Sequence, residues 1–229
     1  MQAPAPLLQR LQQKPDLTSG RRLVVLLSQL GDFDSMEYAQ ALVPALELLK
    51  AADIKLLAIA IGDQQGADRF CTYTGLPRDV LEVDAEPLLH RELNLYEGLK
   101  TPGGPWPGLL LMCAGIGSPG TLAEVFRGYR GDRNAPQRIN SPLFRLAGGD
   151  GFQRPFELAT VRLGNMREVL SNWRTYVPRN DFITQRGGTF LLEADNNLLY
   201  SYRDTGILGF SATMNKPLEF LDPYLNKPT

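Results

Sequence analysis

The sequence predicts an α/β fold in which helices flank a mixed central sheet. Strand-like and helical segments alternate between residues 23 and 95, and a β-hairpin pattern with a final helix follows near the other end. The alternation predicts right-handed βαβ crossovers and parallel strands. The hairpin contributes antiparallel strands, so the expected sheet contains both orientations.

The two predicted core strands are continuous apolar runs, at residues 23–27 and 54–61. Runs of this kind are typical of strands that are covered on both faces. A helix is expected between them, because Asp34 and Glu37 have the spacing of a capping box. Pro44 lies inside that helix and predicts a kink, since its ring removes a hydrogen bond and crowds the preceding turn.

The alternation continues through one more helix and strand. The next helix is predicted to begin at Gly62-Asp63 and to end at the stop signals of Gly75-Leu76-Pro77. A short strand at residues 80–83 and a short helix at residues 87–95 follow.

The hairpin is predicted from apolar runs at residues 189–193 and 198–202, which are separated by turn-forming residues. A final helix is expected to begin near Pro217. We expect this hairpin and helix to complete the same domain as the first strands.

A Gly- and Pro-rich stretch separates the two regular parts and is too long for a plain loop. We therefore expect a folded insertion before the hairpin, with short helices near residues 122–128 and 165–173. The predicted organisation has four parts: an N-terminal segment (1–20), a βαβαβ part (21–97), the insertion (98–186), and the hairpin with the last helix (187–229).

Composition excludes several classes of protein. The net charge is −1 and the sequence pI is about 5.9, so no global field would attract nucleic acid or an anionic membrane. The most apolar loop, residues 107–116, is too short to span a bilayer, and residues 1–20 lack the apolar core of a secretory signal. Two cysteines give no disulfide framework and favour a reducing compartment, although one bridge remains open. We expect a soluble protein with no cofactor and no metal.

The order of these segments resembles the thioredoxin fold. The closer likeness is to the peroxiredoxin-like family of the alkyl hydroperoxide reductase/thiol-specific antioxidant type. Residues 54–95, which contain the run 67–71 followed by 74–77 and then 80–84, are similar to that family's second strand, second helix and third strand. Residues 185–190 are similar to its hairpin entry. The resemblance implies a thioredoxin-like fold interrupted by a large insertion.

The resemblance also draws attention to a missing thiol. Active redox members of the family carry Cys-x-x-Cys, or at least its first cysteine, at the positions of Asp32 and Ser35, where this chain reads Asp-Phe-Asp-Ser. Peroxidase or disulfide-exchange activity is therefore not implied. The Gly-Asp-Phe-Asp-Ser version is similar to a branch associated with cyanobacteria and plastids, which implies a photosynthetic host and a cytoplasmic or chloroplast stromal location.

Asp32 and Asp34 have two interpretations. They could form a carboxylate pair for acid–base work or a metal, but aspartate is strongly preferred at helix starts, where a cap contributes about 0.5–2 kcal/mol. We favour capping. Capping carboxylates occupy the N–H groups that would otherwise hold a phosphate or stabilise a thiolate.

The two thiols and the single histidine are weak catalytic candidates. Cys71 lies late in a helix, where the dipole raises a thiol pKa, so we expect a buried small hydrophobe. Cys113 lies in the apolar loop and is the better candidate for a reactive thiol, but no His or Lys adjoins it in sequence. His90 is expected to be solvated or capping. Residues 115–120 lack the Gly-Lys-Ser/Thr ending of a phosphate loop.

Charge is segregated along the chain. Residues 121–186 contain eleven arginines, no lysine and six acidic residues, whereas residues 1–100 and 187–229 have net charges of −4 and −2. Arginine suits bidentate recognition of carboxylate or phosphate groups on a partner. It also suits internal ion pairs that would hold the insertion on the acidic body. The sequence leaves both interpretations open.

The favoured function is a non-catalytic binding protein that docks on a protein complex through its insertion. One candidate is a photosynthetic, thylakoid-associated complex with peripheral membrane contact. An apolar loop beside a basic patch is typical of an interaction surface. The residues expected to form it are Trp106, Arg127, Arg130, Arg133 and Arg138.

Two catalytic alternatives remain open, and the sequence leans against both. One is a residual thiol peroxidase or oxidoreductase that uses Cys113 or Cys71. The other is an enzyme based on Asp32, Asp34 and Arg186. Arg186 lies one residue away from the spacing that the resemblance implies for a peroxide-orienting arginine, which weakens both.

Overall fold

The computed structural model describes residues 1–98, 156–205, 209–213 and 216–225. Its five strands form one sheet in the order β3-β2-β1-β4-β5. The first three strands are parallel, and β4 is antiparallel to both β1 and β5. The strands are β1 (Arg21–Gln29), β2 (Ile54–Ile61), β3 (Leu81–Asp84), β4 (Gly188–Leu192) and β5 (Leu198–Arg203).

Eight α-helices are assigned in the described residues. They are α1 (Ala5–Gln12), α2 (Phe33–Leu42), α3 (Leu46–Ala51), α4 (Gln64–Thr74), α5 (Leu88–Glu92), α6 (Phe156–Ser171), α7 (Trp173–Tyr176) and α8 (Asp222–Leu225). No helix in these parts of the chain has the length and apolarity needed to cross a membrane.

The central strand β1 is covered on both faces, as its continuous apolar run predicts. Leu23, Val25 and Leu27 belong to one hydrophobic core with α2, α4 and α7. The alternate residues Val24 and Leu26 belong to a second core. Successive side chains of a strand point to opposite faces, so the molecule has three layers.

Helix α1 supplies much of the second core, which the sequence did not predict. Leu7 and Leu11 of α1 are buried there with Leu89 and Leu93 from the α5 region. Pro6 lies in the first turn of the helix, where a missing N–H costs nothing. Residues 1–20 are therefore a structural layer of the fold.

The start of α2 differs from the predicted capping box. The cap is Asp32, whose carboxylate accepts a hydrogen bond from the backbone N–H of Ser35 at 2.8 Å. The predicted pair of Asp34 and Glu37 is wrong by two positions, because Asp34 is already inside the helix. The kink at Pro44 is confirmed: a 3-10 turn at Val43–Ala45 separates α2 from α3.

The second predicted helix and the hairpin are confirmed with small shifts in their ends. Asp63 caps α4 by accepting from the N–H of Gly66 at 2.7 Å, and Gly75 ends the helix in the left-handed conformation. The hairpin strands are those predicted, within one residue. The final element is a 3-10 turn at Glu219–Leu221 followed by the single turn of α8.

The described end of the predicted insertion packs into the main core. Helix α6 is longer than the helix predicted at residues 165–173. Asn165 exchanges two side-chain hydrogen bonds of 3.0 Å with Gln40 of α2, and Val169 and Tyr176 are fully buried. The helix predicted at residues 122–128 lies outside the described residues. The α/β class and the thioredoxin-like fold that the resemblance implied are confirmed.

Candidate functional site

The turn between β1 and α2 closes on itself through short polar side chains. Asp32 caps the helix and also accepts a hydrogen bond from the hydroxyl of Ser35 at 3.0 Å. The Ser35 oxygen in turn accepts from the backbone N–H of Ser28, at the end of β1, at 2.9 Å. Both predicted degenerate positions, Asp32 and Ser35, are therefore bonded to the turn that carries them.

Asp34 follows the cap but performs a different role. Its carboxylate accepts from the Arg186 guanidinium at 2.9 Å and from the backbone N–H of Gly209 at 2.8 Å. The side chain is 1% exposed. A buried carboxylate needs such partners, since burial without them is costly. Asp34 thus joins the helix start to two segments that are distant in sequence.

Arg186 is the centre of this arrangement. Its side chain is 2% exposed, and its guanidinium donates to Asp34, to Asp32 at 3.4 Å and to the Gly209 carbonyl at 2.5 Å. The carboxylate of Asp204 lies 3.8 Å away. Burial lowers the pKa of Arg186, but the three carboxylates outweigh that effect and raise it. Arg186 is therefore a permanent cation in the interior.

Asp204 follows β5 and completes the cluster. Its Oδ2 accepts from the backbone N–H of Gly187 at 3.1 Å. Burial raises the pKa of Asp204 to about 7, with Asp34 and Asp32 adding to the rise while Arg186 and the Gly187 N–H oppose it. Three carboxylates face one guanidinium, so the cluster is suited to hold a proton near neutral pH.

Aromatic side chains border this group, which we call the charge cluster (Asp32, Asp34, Arg186 and Asp204). Tyr38 is buried, shares a 2.7 Å hydrogen bond with Thr189 and stacks on Phe210 with ring centroids 4.6 Å apart. Burial raises the pKa of Tyr38 far above its usual range, despite the hydrogen bond with Thr189. The side chains of the charge cluster are at most 5% exposed.

The chemistry open to the charge cluster is limited by these bonds. The guanidinium of Arg186 is already paired with carboxylates of the cluster, and the helix start that would activate a thiolate already holds Asp32. Within the described residues, no three His, Cys, Asp or Glu side chains are placed to hold a metal ion. The arrangement can store a proton and bind the chain together.

Cys71 is free and lies in α4, away from the charge cluster. It is 8% exposed, and burial raises its thiol pKa although Arg78 opposes the rise. Reactive cysteines have lowered pKa values and some exposure. This environment fits the predicted buried hydrophobe. Cys113 lies outside the described residues.

His90 was expected to be solvated or capping, and that expectation is wrong. The imidazole is fully buried, and its Nε2 lies 2.7 Å from the Leu27 carbonyl. Since a carbonyl only accepts, Nε2 carries the proton. Burial lowers the pKa of His90 to about 4, although the Leu27 hydrogen bond and Asp84 act in the other direction. Packing of α5 on β1 explains the burial.

We expect His90 to stay neutral in the folded protein down to about pH 4. Because the folded pKa is below the unfolded value, the histidine contributes stability above the unfolded pKa. That contribution is lost as the pH falls through 4. The chain has one histidine, so a proton–nitrogen NMR titration reports it without assignment. The urea-unfolded chain should titrate near 6.5, and a folded midpoint near 6 would contradict the prediction.

The predicted binding residues Trp106, Arg127, Arg130, Arg133 and Arg138 lie outside the described residues. Two arginines from the described end of the predicted insertion make internal ion pairs. Arg186 does so in the charge cluster, and Arg179 lies 2.8 Å from Glu86. Arg167 and Arg174 are exposed. Both interpretations of the arginine enrichment thus keep support.

Sequence reasoning missed Asp204 and the backbone of Gly209 as parts of the site. The signal that could have led to them is Arg186 itself, which precedes Gly187-Gly188 at the predicted hairpin entry. A charged side chain beside two buried strands needs buried partners. Asp204, the acidic residue that follows the second hairpin strand, is such a partner.

Comparison with known proteins gives one finding beyond the geometry. No curated protein matches the chain. A family model described as AhpC/TSA antioxidant enzyme matches residues 41–206, which include α4, the hairpin and both Arg186 and Asp204. The match covers well over half of the sequence, and the chain belongs to the AhpC/TSA antioxidant enzyme family.

Proposed function

We propose that this chain is a non-catalytic binding protein of its family. The observation that carries the proposal is the ion pair between Arg186 and Asp34, 2.9 Å long and buried, beside a helix start capped by Asp32. A redox protein uses such a helix start to lower a thiol pKa. Here the N–H group of Ser35 is bonded to the Asp32 carboxylate, and the Arg186 cation is bonded to the Asp34 carboxylate.

The properties of Cys71 support the same conclusion. Its thiol is buried, and burial raises its pKa. A nucleophilic thiol needs the thiolate form, which a raised pKa disfavours. Cys113 is the thiol on which a catalytic role would have to rest.

We further propose that the arginine-rich segment docks on an acidic surface of a protein complex. The support is the net charge of +5 at residues 121–186, where arginine is present without lysine. Interfaces are enriched in arginine and aromatic residues, and bidentate pairing gives geometric specificity. The proposed contact residues are Trp106, Arg127, Arg130, Arg133 and Arg138.

The resemblance to a cyanobacterial and plastid branch suggests where such a complex would lie. We propose a cytoplasmic or stromal protein that contacts a photosynthetic complex at the thylakoid surface, without nucleic acid as a partner. This part of the proposal rests on the Gly31–Ser35 sequence alone.

Peroxide consumption by the purified protein tests the absence of catalysis. Wild type, Cys71→Ser and Cys113→Ser are assayed with hydrogen peroxide and an alkyl hydroperoxide, using a thioredoxin or glutathione system as reductant. We expect rates equal to the protein-free blank for all three. Turnover by wild type that is lost in Cys113→Ser would overturn the proposal and establish the thiol alternative.

Binding is tested by co-sedimentation with membranes of the host and by native chromatography of the extract. Arg127→Glu/Arg130→Glu should lose at least tenfold in bound fraction, because reversal replaces two attractive contacts with repulsive ones. Arg91→Glu/Arg203→Glu is the matched control, with the same charge change at two exposed arginines outside residues 121–186. Equal loss in both variants would indicate non-specific attraction, and an unassociated wild-type chain would overturn the docking proposal.

A further inference from the structure

A small cavity lies inside the charge cluster. Its volume is about 10 Å³, and it is lined by β1, the first turns of α2, the start of β4 and the residues that follow β5. Its polar lining includes Ser28, Ser35, Tyr38, Arg186 and Asp204. A volume of about one probe sphere is the least that holds a water molecule, which also needs two to four polar partners.

Two buried polar atoms that belong to these lining residues have no hydrogen-bond partner among the described residues. They are Nε of Arg186 and Oδ1 of Asp204. The other atoms of both groups are well bonded, Nη2 of Arg186 to Asp34 and Gly209, and Oδ2 of Asp204 to the Gly187 N–H. Buried donors and acceptors are almost always paired, so these two atoms point to a missing ligand.

The two side chains are close together, but the nearest charged atoms that join them are not in direct hydrogen-bond contact. Nη2 of Arg186 and Oδ2 of Asp204 are 3.8 Å apart, which is too long for a direct hydrogen bond. A polar separation beyond about 3.5 Å is commonly bridged by water. We propose that one structural water molecule occupies this cavity, accepting from Nε of Arg186 and bonding to Oδ1 of Asp204.

Water is favoured over other small ligands because the occupant must be able both to donate and to accept hydrogen bonds. Arg186 always donates, whereas Oδ1 of Asp204 accepts when the carboxyl is ionised and donates when it is protonated, since Oδ2 already accepts from Gly187. Water can donate to Oδ1 in the first state and accept from it in the second. An anion would face three carboxylates, and a cation would face the guanidinium of Arg186.

The size of the cavity favours a single small occupant. Its volume of about 10 Å³ is close to the least that holds one water molecule. The inference goes beyond the proposed function and does not depend on it. A structural water would remain even if Cys113 proved to be reactive.

A crystal structure of the full chain at a resolution that shows ordered water tests the inference directly. We expect a single peak within 3.2 Å of both Nε of Arg186 and Oδ1 of Asp204. A direct contact between those two atoms, with no peak, would overturn it. Crystals soaked in hydrogen peroxide should keep the single peak, and an elongated two-atom peak would also overturn it.

Solution NMR provides a second test. The Nε proton of Arg186 should show a direct rotating-frame cross-peak to water, and Asp204→Asn should keep it, because the amide retains a hydrogen-bonding atom at the same place. Arg186→Lys lacks the Nε–H, and where that variant folds, water relaxation dispersion should report one fewer long-lived water molecule. Wild type without the cross-peak, or an unchanged count in the folded lysine variant, would contradict the proposal.

Discussion

Replacing Arg186 with methionine is expected to lower the free energy of unfolding by about 3–5 kcal/mol, the range for removing one partner of a buried ion pair. The side chain is 2% exposed and faces Asp32, Asp34 and Asp204. Methionine has a similar length but no charge, so three buried carboxylates would lose their counter-ion. A loss of this size is a large part of the stability of an ordinary domain.

Urea unfolding at neutral pH, followed by circular dichroism, measures the loss. Arg179→Met is the control, because that arginine pairs with Glu86 on the surface, where both side chains are nearly half exposed. Exposed ion pairs contribute little, so the control should unfold close to wild type. Equal midpoints for wild type and Arg186→Met would show that the charge cluster does not stabilise the fold.

The strands and helices that the sequence predicted correctly are those whose pattern lies within a few neighbouring residues. The apolar runs of β1 and β2 and the kink at Pro44 were confirmed because each depends on a few neighbouring residues. Asp63 and Gly75 mark the ends of α4 in the same way. Helix α1 has only two buried leucines in its eight residues, which is too short a pattern to separate from a polar N-terminal segment.

The charge cluster could be predicted only in part, since it depends on pairing between distant segments. Asp32 and Asp34 were recognised as the start of a helix, but their partner Arg186 is more than 150 residues away. The antiparallel register places Gly188 of β4 opposite Leu26 of β1, which brings Arg186 to the turn before α2. The pairing register of β1 and β4 cannot be predicted from the hydrophobic pattern of either strand alone.

Asp34 has a different role from the capping role that its position predicts. The sequence assigned both aspartates to capping, and the structure gives that role to Asp32 alone. Asp34 instead anchors Arg186 and Gly209. The proposed loss of catalysis therefore has a stronger physical basis than a missing cysteine, because the cation beside the helix start is also bound.

Gly187→Ala is expected to lower the free energy of unfolding by about 3 kcal/mol or more, at the upper end of the overpacking range. A Cβ at this position would lie 2.0 Å from the backbone oxygen of Leu26 and 3.1 Å from its carbonyl carbon. Backbone atoms inside a sheet cannot move aside as a flexible side chain can. Any shift of Gly187 would also disturb two hydrogen bonds of 3.1 Å with Asp204: the Gly187 N–H donates to the Asp204 carboxylate, and the Gly187 carbonyl accepts from the Asp204 N–H.

Gly164→Ala is the matched control, and it should have the opposite sign. Gly164 lies in α6 and is exposed, and among the residues that the structure describes an added Cβ would meet only the Tyr73 hydroxyl, at 3.4 Å. Glycine inside a helix is destabilising relative to alanine by about 0.5–1 kcal/mol, so this variant should be slightly more stable than wild type. Both variants add the same methyl group, so a difference in stability between them reports the surroundings of each glycine. If thermal unfolding places both variants within 1 °C of wild type, the contact between Gly187 and Leu26 is looser than the structure requires, and the strand pairing that delivers Arg186 to the charge cluster is not tightly fixed.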